Sequence, residues 1–176
     1  MENIILTGMP SSGKSTVGVV LAKTMNKGVV DTDILIQQRE GCTLQDIINE
    51  KGNDYFHKIE EQVLLDFDGK DYIVATGGSA IYFDSAMEHF KKNGKVVYLK
   101  VSLDTVLKRL NNIKTRGVTL AKGQTLADLY NLRVPLYEKH ADIVIEADGL
   151  TVEEVVNALW RLQVVRTGGK REGEDN

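Results

Sequence analysis

One cysteine, Cys42, is all the thiol chemistry the chain possesses, so no disulfide can form within it, and the residue is expected to be a small packed side chain. Long apolar runs are missing too. Nothing reads as a membrane span or a cleaved leader, and a reducing compartment, the cytoplasm, is the expectation. Nor is there a block of Lys and Arg: 22 basic residues are dispersed among 25 acidic ones for a net charge of -3. That balance excludes the electrostatic footprint of a nucleic-acid or anionic-membrane binder and points to a small-molecule partner; a monomer is expected. No internal repeat is visible. His89 and His140 have no Cys or acidic neighbours at ligand spacing, so no zinc site is expected.

What the chain does have is enough apolar residues for one core. With 42% of 176 residues hydrophobic, a single domain over residues 1–167 is expected, followed by a charged, glycine-rich, disordered tail at 168–176. Short runs rich in Val, Ile and Leu at 3–7, 28–31, 72–76, 96–101 and 142–146 alternate with amphipathic stretches at 14–25, 33–40, 44–50, 54–67, 84–92, 104–113, 126–140 and 152–165. Such alternation predicts an α/β fold, a five-stranded parallel sheet with helices on both faces. Thr125 precedes Asp128, and Thr151 precedes Glu154, at the spacing of a capped helix start. Residues 114–124 lack apolar periodicity and carry Lys, Arg, Gly and Thr, the composition of a mobile lid. Trp160 is expected in the core.

Gly8-Met9-Pro10-Ser11-Ser12-Gly13-Lys14-Ser15 fills every required position of a phosphate-binding loop, with a strand before it and a helix after it. The chemistry needs these residues. Gly8 and Gly13 permit backbone conformations closed to other residues, so that the amides around Ser11, Ser12 and Thr16 converge on phosphate oxygens. Lys14 bridges the outer phosphates and the Ser15 hydroxyl ligates Mg2+, which makes ATP and Mg2+ the expected cofactors.

Ligands of an open parallel sheet sit beyond the carboxyl ends of its strands. The second run ends in Asp31-Thr32-Asp33, which in an extended chain sets two carboxylates on one side. One suits Mg2+ and the other an acceptor hydroxyl; alternatively, Asp33 caps the next helix. The third run passes into Gly77-Gly78-Ser79, where a ligand can approach the backbone closely or the chain simply turns.

Taken together, the loop, Asp31 and Asp33, Phe56 with Glu60, Thr76-Gly77-Gly78, Arg116, and Arg133-Val134-Pro135-Leu136-Tyr137 resemble the shikimate kinases across residues 3–160. That family passes the ATP γ-phosphoryl group to the 3-hydroxyl of shikimate. The resemblance implies that Asp31 faces the metal, Asp33 holds and deprotonates the acceptor hydroxyl, and Gly77 and Gly78 touch the acceptor. It also implies that Arg133 grips the acceptor's carboxylate, that Arg116 brings charge from the lid to the moving phosphoryl group, and that Arg109 and the 147–149 turn flank the adenine.

Four positions depart from the family pattern. His57 stands where an arginine usually shares the carboxylate, Ser11 and Ser79 replace glycines, and Gly117 replaces a proline. An imidazole cannot form a bidentate fork, and the exchange costs about 1 to 3 kcal/mol of acceptor binding. A charged His57 is the simplest compensation, since Lys58 points about 100° away on a helix. Two enzyme readings fit: a shikimate kinase with a weakened clamp, or a gluconate-kinase-like relative with a refitted pocket. A nucleotide-binding protein without transfer chemistry is the rival of another class, and Asp33, Arg116 and Arg133 argue against it.

Overall fold

A computed structural model describes residues 2–110 and 118–168. The five apolar runs form β1 (Asn3–Thr7), β2 (Gly28–Asp31), β3 (Tyr72–Ala75), β4 (Gly94–Lys100) and β5 (Ile143–Glu146). They pair in parallel, in the order β2-β3-β1-β4-β5. β1 is central and wholly buried, with Ile5 flanked by Val74 and Val96, which is why its middle, Ile4 to Leu6, is apolar throughout. At the edges, β2 and β5 leave Val29 and Val144 exposed.

The helices are α1 (Lys14–Met25), α2 (Thr32–Glu40), α3 (Leu44–Asp66), α4 (Asp84–Asn93), α5 (Leu103–Leu110), α6 (Leu126–His140) and α7 (Val152–Gly168). α3 contains the two helical stretches expected around 44–50 and 54–67, separated by a kink at Gly52, whose φ of 82° lies in the left-handed region that glycine enters freely. Both expected hydroxyl caps form: Thr125 Oγ1 accepts from the Asp128 amide and Thr151 Oγ1 from the Glu154 amide, at 3.1 and 3.2 Å. A 3-10 turn at Ala80–Tyr82, which no periodicity announced, follows β3.

Some boundaries differ. β4 starts two residues before the expected 96 because the Gly94 backbone packs against Asn3 of β1, where a side chain would meet the Asn3 carbonyl oxygen at 2.5 Å. Trp160 is 43% exposed and does not join the core, because α7 turns Val155, Val156 and Leu159 inward instead. Gly168, expected to open the tail, instead ends α7; residues 169–176 of that tail lie outside the described residues, as do Arg116, Gly117 and the start of the lid stretch. No helix among the described residues is long and apolar enough to cross a membrane.

Two hydrophobic clusters hold these elements. The larger covers the sheet. The smaller, Ile36, Ile47, Phe56 and Val63 with Cys42 packed against it, fastens α2 to α3 and so builds a wall beside the ends of β2 and β3.

Candidate active site

The loop after β1 closes around its own lysine. Lys14 Nζ donates to the carbonyls of Gly8 and Met9 at 2.8 and 2.9 Å and to Ser12 Oγ at 3.3 Å, holding the ammonium at the mouth of the cradle. Gly13 forms the N-cap of α1 at φ 96°, so the positive end of the helix dipole opens beneath the loop. At Gly8 a side chain would begin 2.7 Å from the Leu99 carbonyl oxygen, which excludes any other residue. Ser11 adopts φ 65°, a conformation that costs a residue with a side chain about 1 to 3 kcal/mol. Glycine at that position in related loops thus has a backbone cause. Arg109 reaches the same turn from α5, donating from Nη1 to the Ser11 carbonyl at 2.9 Å, and Thr16 is exposed on the first turn of α1.

Asp31 and Asp33 do not share one side of an extended chain. α2 begins at Thr32, and Asp31 is its N-cap, accepting from the Asp33 amide at 2.9 Å. Capping therefore falls on Asp31, and the Asp33 carboxyl projects from the first helical turn toward Gly77. Ser15 Oγ donates to Asp31 Oδ2 at 2.5 Å, which joins the loop to the end of β2. Thr32 Oγ1 accepts from the Gly77 amide at 3.0 Å, tying α2 to the glycine turn.

Beyond the loop opens a cavity of about 360 Å³, lined by Asp31, Asp33, Gly77, Gly78 and Arg133 among others. A side chain on Gly77 would begin 2.8 Å from Asp33 Oδ1 and 2.6 Å from Glu60 Oε1; one on Gly78 would begin 2.8 Å from Arg133 Nη1. The glycine pair is thus a site of close approach as well as a turn. Arg133 is only 2% exposed. It lies on the buried face of α6 with Leu129 and Tyr137, and its Nε donates to the Tyr82 hydroxyl at 3.0 Å. Tyr137 donates to the Gly78 carbonyl at 2.6 Å, fixing the turn that faces the arginine.

Gly77→Ala follows directly as a test. Its methyl group collides with two carboxyl oxygens, one of them anchored in the interior, so kcat/KM toward the acceptor is expected to fall at least about tenfold while ATP binding is unchanged. Steady-state kinetics with each substrate varied in turn separates the two.

His57 is half-buried among Phe56, Tyr82 and Phe83, and its Nε2 shares a 3.3 Å hydrogen bond with Thr119. It is not among the cavity's lining residues. Burial first, then the positive charge of Arg133, hold its pKa below the ordinary histidine value. The ring is therefore neutral near pH 7 in the acceptor-free protein, and the compensating cation expected at this position is not there. Lys58 is exposed, as its helical angle requires.

Three residues that matter to this geometry had no assigned role in the sequence: Tyr82, Tyr137 and Glu60. Tyr137 and Glu60 lie within motifs already noted, four residues after Arg133 and after Phe56, the spacing that shares a helix face. Tyr82 carries no signal, because its turn is irregular.

A parallel sheet with a phosphate loop after its first strand, and a polar cavity across the adjoining strand ends, is the frame of a P-loop kinase. The family model described as "Shikimate kinase" matches residues 10–163. A shikimate kinase of Sulfurihydrogenibium sp. is 39% identical over 160 residues, covering 90% of this chain and 96% of the relative. Among solved structures, shikimate kinase from Acinetobacter baumannii in complex with shikimate is 31% identical with a TM-score of 0.87, covering 94% of each chain. That from Aquifex aeolicus is 32% identical with a TM-score of 0.79, covering 94% of this chain and 99% of the other. The chain belongs to the shikimate kinase family.

Proposed function

We propose that this enzyme, acting in the cytoplasm as one kinase domain with a lid at about residues 114–124, transfers the γ-phosphoryl group of ATP to the 3-hydroxyl of shikimate. The observation that carries this reading is the acceptor wall. A carboxylate, Asp33, and a buried guanidinium, Arg133, face the adjacent glycines 77 and 78, one pole for a hydroxyl and the other for a carboxylate. An acceptor bearing both groups is what such a pair selects, and the Acinetobacter relative was solved with shikimate.

Lys14, Gly8 and the amides of residues 11–16 would hold the triphosphate, with Arg109 and the 147–149 turn beside the adenine. Ser15 and Asp31 present a hydroxyl and a carboxylate 2.5 Å apart, hard oxygen donors of the kind Mg2+ takes, and would hold the ion together with phosphate oxygens. When bound, that ion neutralises charge on the outer phosphates. Asp33 orients the acceptor hydroxyl and receives its proton as the new O–P bond forms and the bond from Pγ to the ADP oxygen breaks. Arg116 from the lid offsets charge on the moving group, and Arg133 fixes the acceptor's carboxylate. Gly77, Gly78 and Ser79 shape the floor beneath it.

Release of ADP, measured with shikimate, gluconate and other polyols, tests the reading, with 31P NMR to locate the new phosphate. Shikimate left unphosphorylated at millimolar concentration while another polyol is turned over would overturn it. His57→Arg supplies a second cation next to Arg133. It is expected to lower KM for shikimate about tenfold, by a charge-assisted contact, with kcat altered less. An unchanged or raised KM would count against a carboxylate at that pole.

A further inference from the structure

The acceptor wall sets one guanidinium against two carboxyl groups, and the second carboxyl, Glu60, has no part in the transfer described above. Phe56, Glu60 and Leu64 recur at helical spacing, which draws Glu60 into the interior, where it is 0% exposed. Ser79 Oγ donates to its Oε2 at 2.5 Å. Oε1 is equally buried and has no hydrogen-bond partner among the described residues. That oxygen lies 2.6 Å, and Asp33 Oδ1 2.8 Å, from the point where a Gly77 side chain would begin, so the two carboxyls crowd one spot. Asp33 of α2, Ser79 after β3, and Arg133 and Tyr137 of α6 surround Glu60, and His57 and Tyr82 stand beyond them around Arg133.

We propose that Glu60 works protonated, as a positioning residue whose proton keeps the Arg133 guanidinium available to the acceptor's carboxylate. The inference rests on the shikimate reading for the charge of the acceptor. An ionised Glu60 is a rival anion for Arg133 and adds a second negative charge beside Asp33, in the space a carboxylate-bearing acceptor must enter. A protonated Glu60 removes both penalties and leaves Asp33 and Arg133 as a balanced pair. Burial above all pushes the Glu60 pKa up, to about 7, with Asp33 adding to the shift while the Ser79 hydrogen bond and Arg133 oppose it. The proton is therefore lost within the working range of an enzyme. His57, its pKa held below the usual value by burial and then by Arg133, is mostly neutral at pH 7. The acceptor's own carboxylate stays ionised throughout.

The test is KM for shikimate measured from pH 6 to 8, with kcat and KM for ATP recorded alongside. Below the Glu60 pKa the acid form prevails and binding is tight; above it KM climbs, by about tenfold across this range if only the protonated form binds. kcat and KM for ATP are expected to change much less. Glu60→Gln keeps the shape and cannot ionise, so its KM for shikimate is expected to be flat over the same range. Ser79→Ala removes a hydrogen bond that favours the ionised form, and the rise in KM should move to higher pH. This variant carries the test alone should Glu60→Gln fail to fold. A flat KM in the native enzyme that still phosphorylates shikimate overturns this inference and spares the functional reading. So does a Glu60→Gln enzyme that retains the pH dependence, or a Ser79→Ala shift to lower pH. No transfer to shikimate at any pH overturns both.

Discussion

Asp33→Asn is expected to reduce kcat with shikimate by about two to four orders of magnitude, the range lost when a positioned base is removed. The substitution is close to isosteric, and two neighbouring features do not depend on its charge. Asp31, rather than Asp33, caps α2, so the helix start survives. Ser15 and Asp31 keep their 2.5 Å contact, so the donor side survives as well. What the amide cannot do is take the proton that the acceptor hydroxyl must release. Thermal stabilisation by Mg-ATP should be the same in variant and native enzyme, while single-turnover transfer to shikimate should collapse. A kcat within tenfold of the native value would remove Asp33 from the role of base.

Arg133→Ala should damage the other pole of the acceptor. The side chain is 2% exposed and is the guanidinium that approaches Gly78. Its removal deprives the Tyr82 hydroxyl of its donor at 3.0 Å and leaves Glu60 without its neighbouring cation. Breaking a buried charged contact costs about 3 to 5 kcal/mol, so kcat/KM for shikimate is expected to fall by roughly two to four orders of magnitude. KM for ATP should hold. Arg133→Lys is expected to recover only a small part, because an ammonium cannot both donate to Tyr82 and present a planar fork to a carboxylate. Circular dichroism separates misfolding from loss of binding, and recovery to within tenfold by lysine would show that charge alone suffices.

How much of this was legible beforehand depended on whether a feature is local. The phosphate loop is contiguous, and its glycines, lysine and serine answer to backbone requirements that the sequence states outright, so its strand and helix fell where expected. The sheet was legible because each strand is a short Val- and Ile-rich run. The acceptor wall was legible only as a set of separate letters. Gly77, Glu60 and Arg133 are brought together by β3, α3 and α6, and nothing in their spacing says that Glu60 is sealed in or that Ser79 binds it. Asp31 and Asp33 were misplaced as an extended pair because the helix starts between them, at Thr32, a residue drawn inward to accept from the Gly77 amide. Trp160 was misread because size suggests a core residue, whereas the helix phase of α7 is set by Val155, Val156 and Leu159. The sign of the His57 shift was out of reach too, because it depends first on burial of the ring and then on an arginine 76 positions away in the chain.

The smaller hydrophobic cluster bears on how such an enzyme can diverge. The donor loop grows out of β1, at the centre of the sheet, where any change of backbone is felt by strands on both sides. The wall that carries Asp33 and Glu60 is anchored separately, by Ile36, Ile47, Phe56 and Val63. Because those four residues are not shared with the sheet, substitutions in the wall act nearly additively with those in the loop. A lineage can therefore drift in its choice of alcohol while its use of ATP is inherited intact, and of the positions at which this chain departs on the acceptor side, 57 lies on α3 and 79 hydrogen-bonds to Glu60.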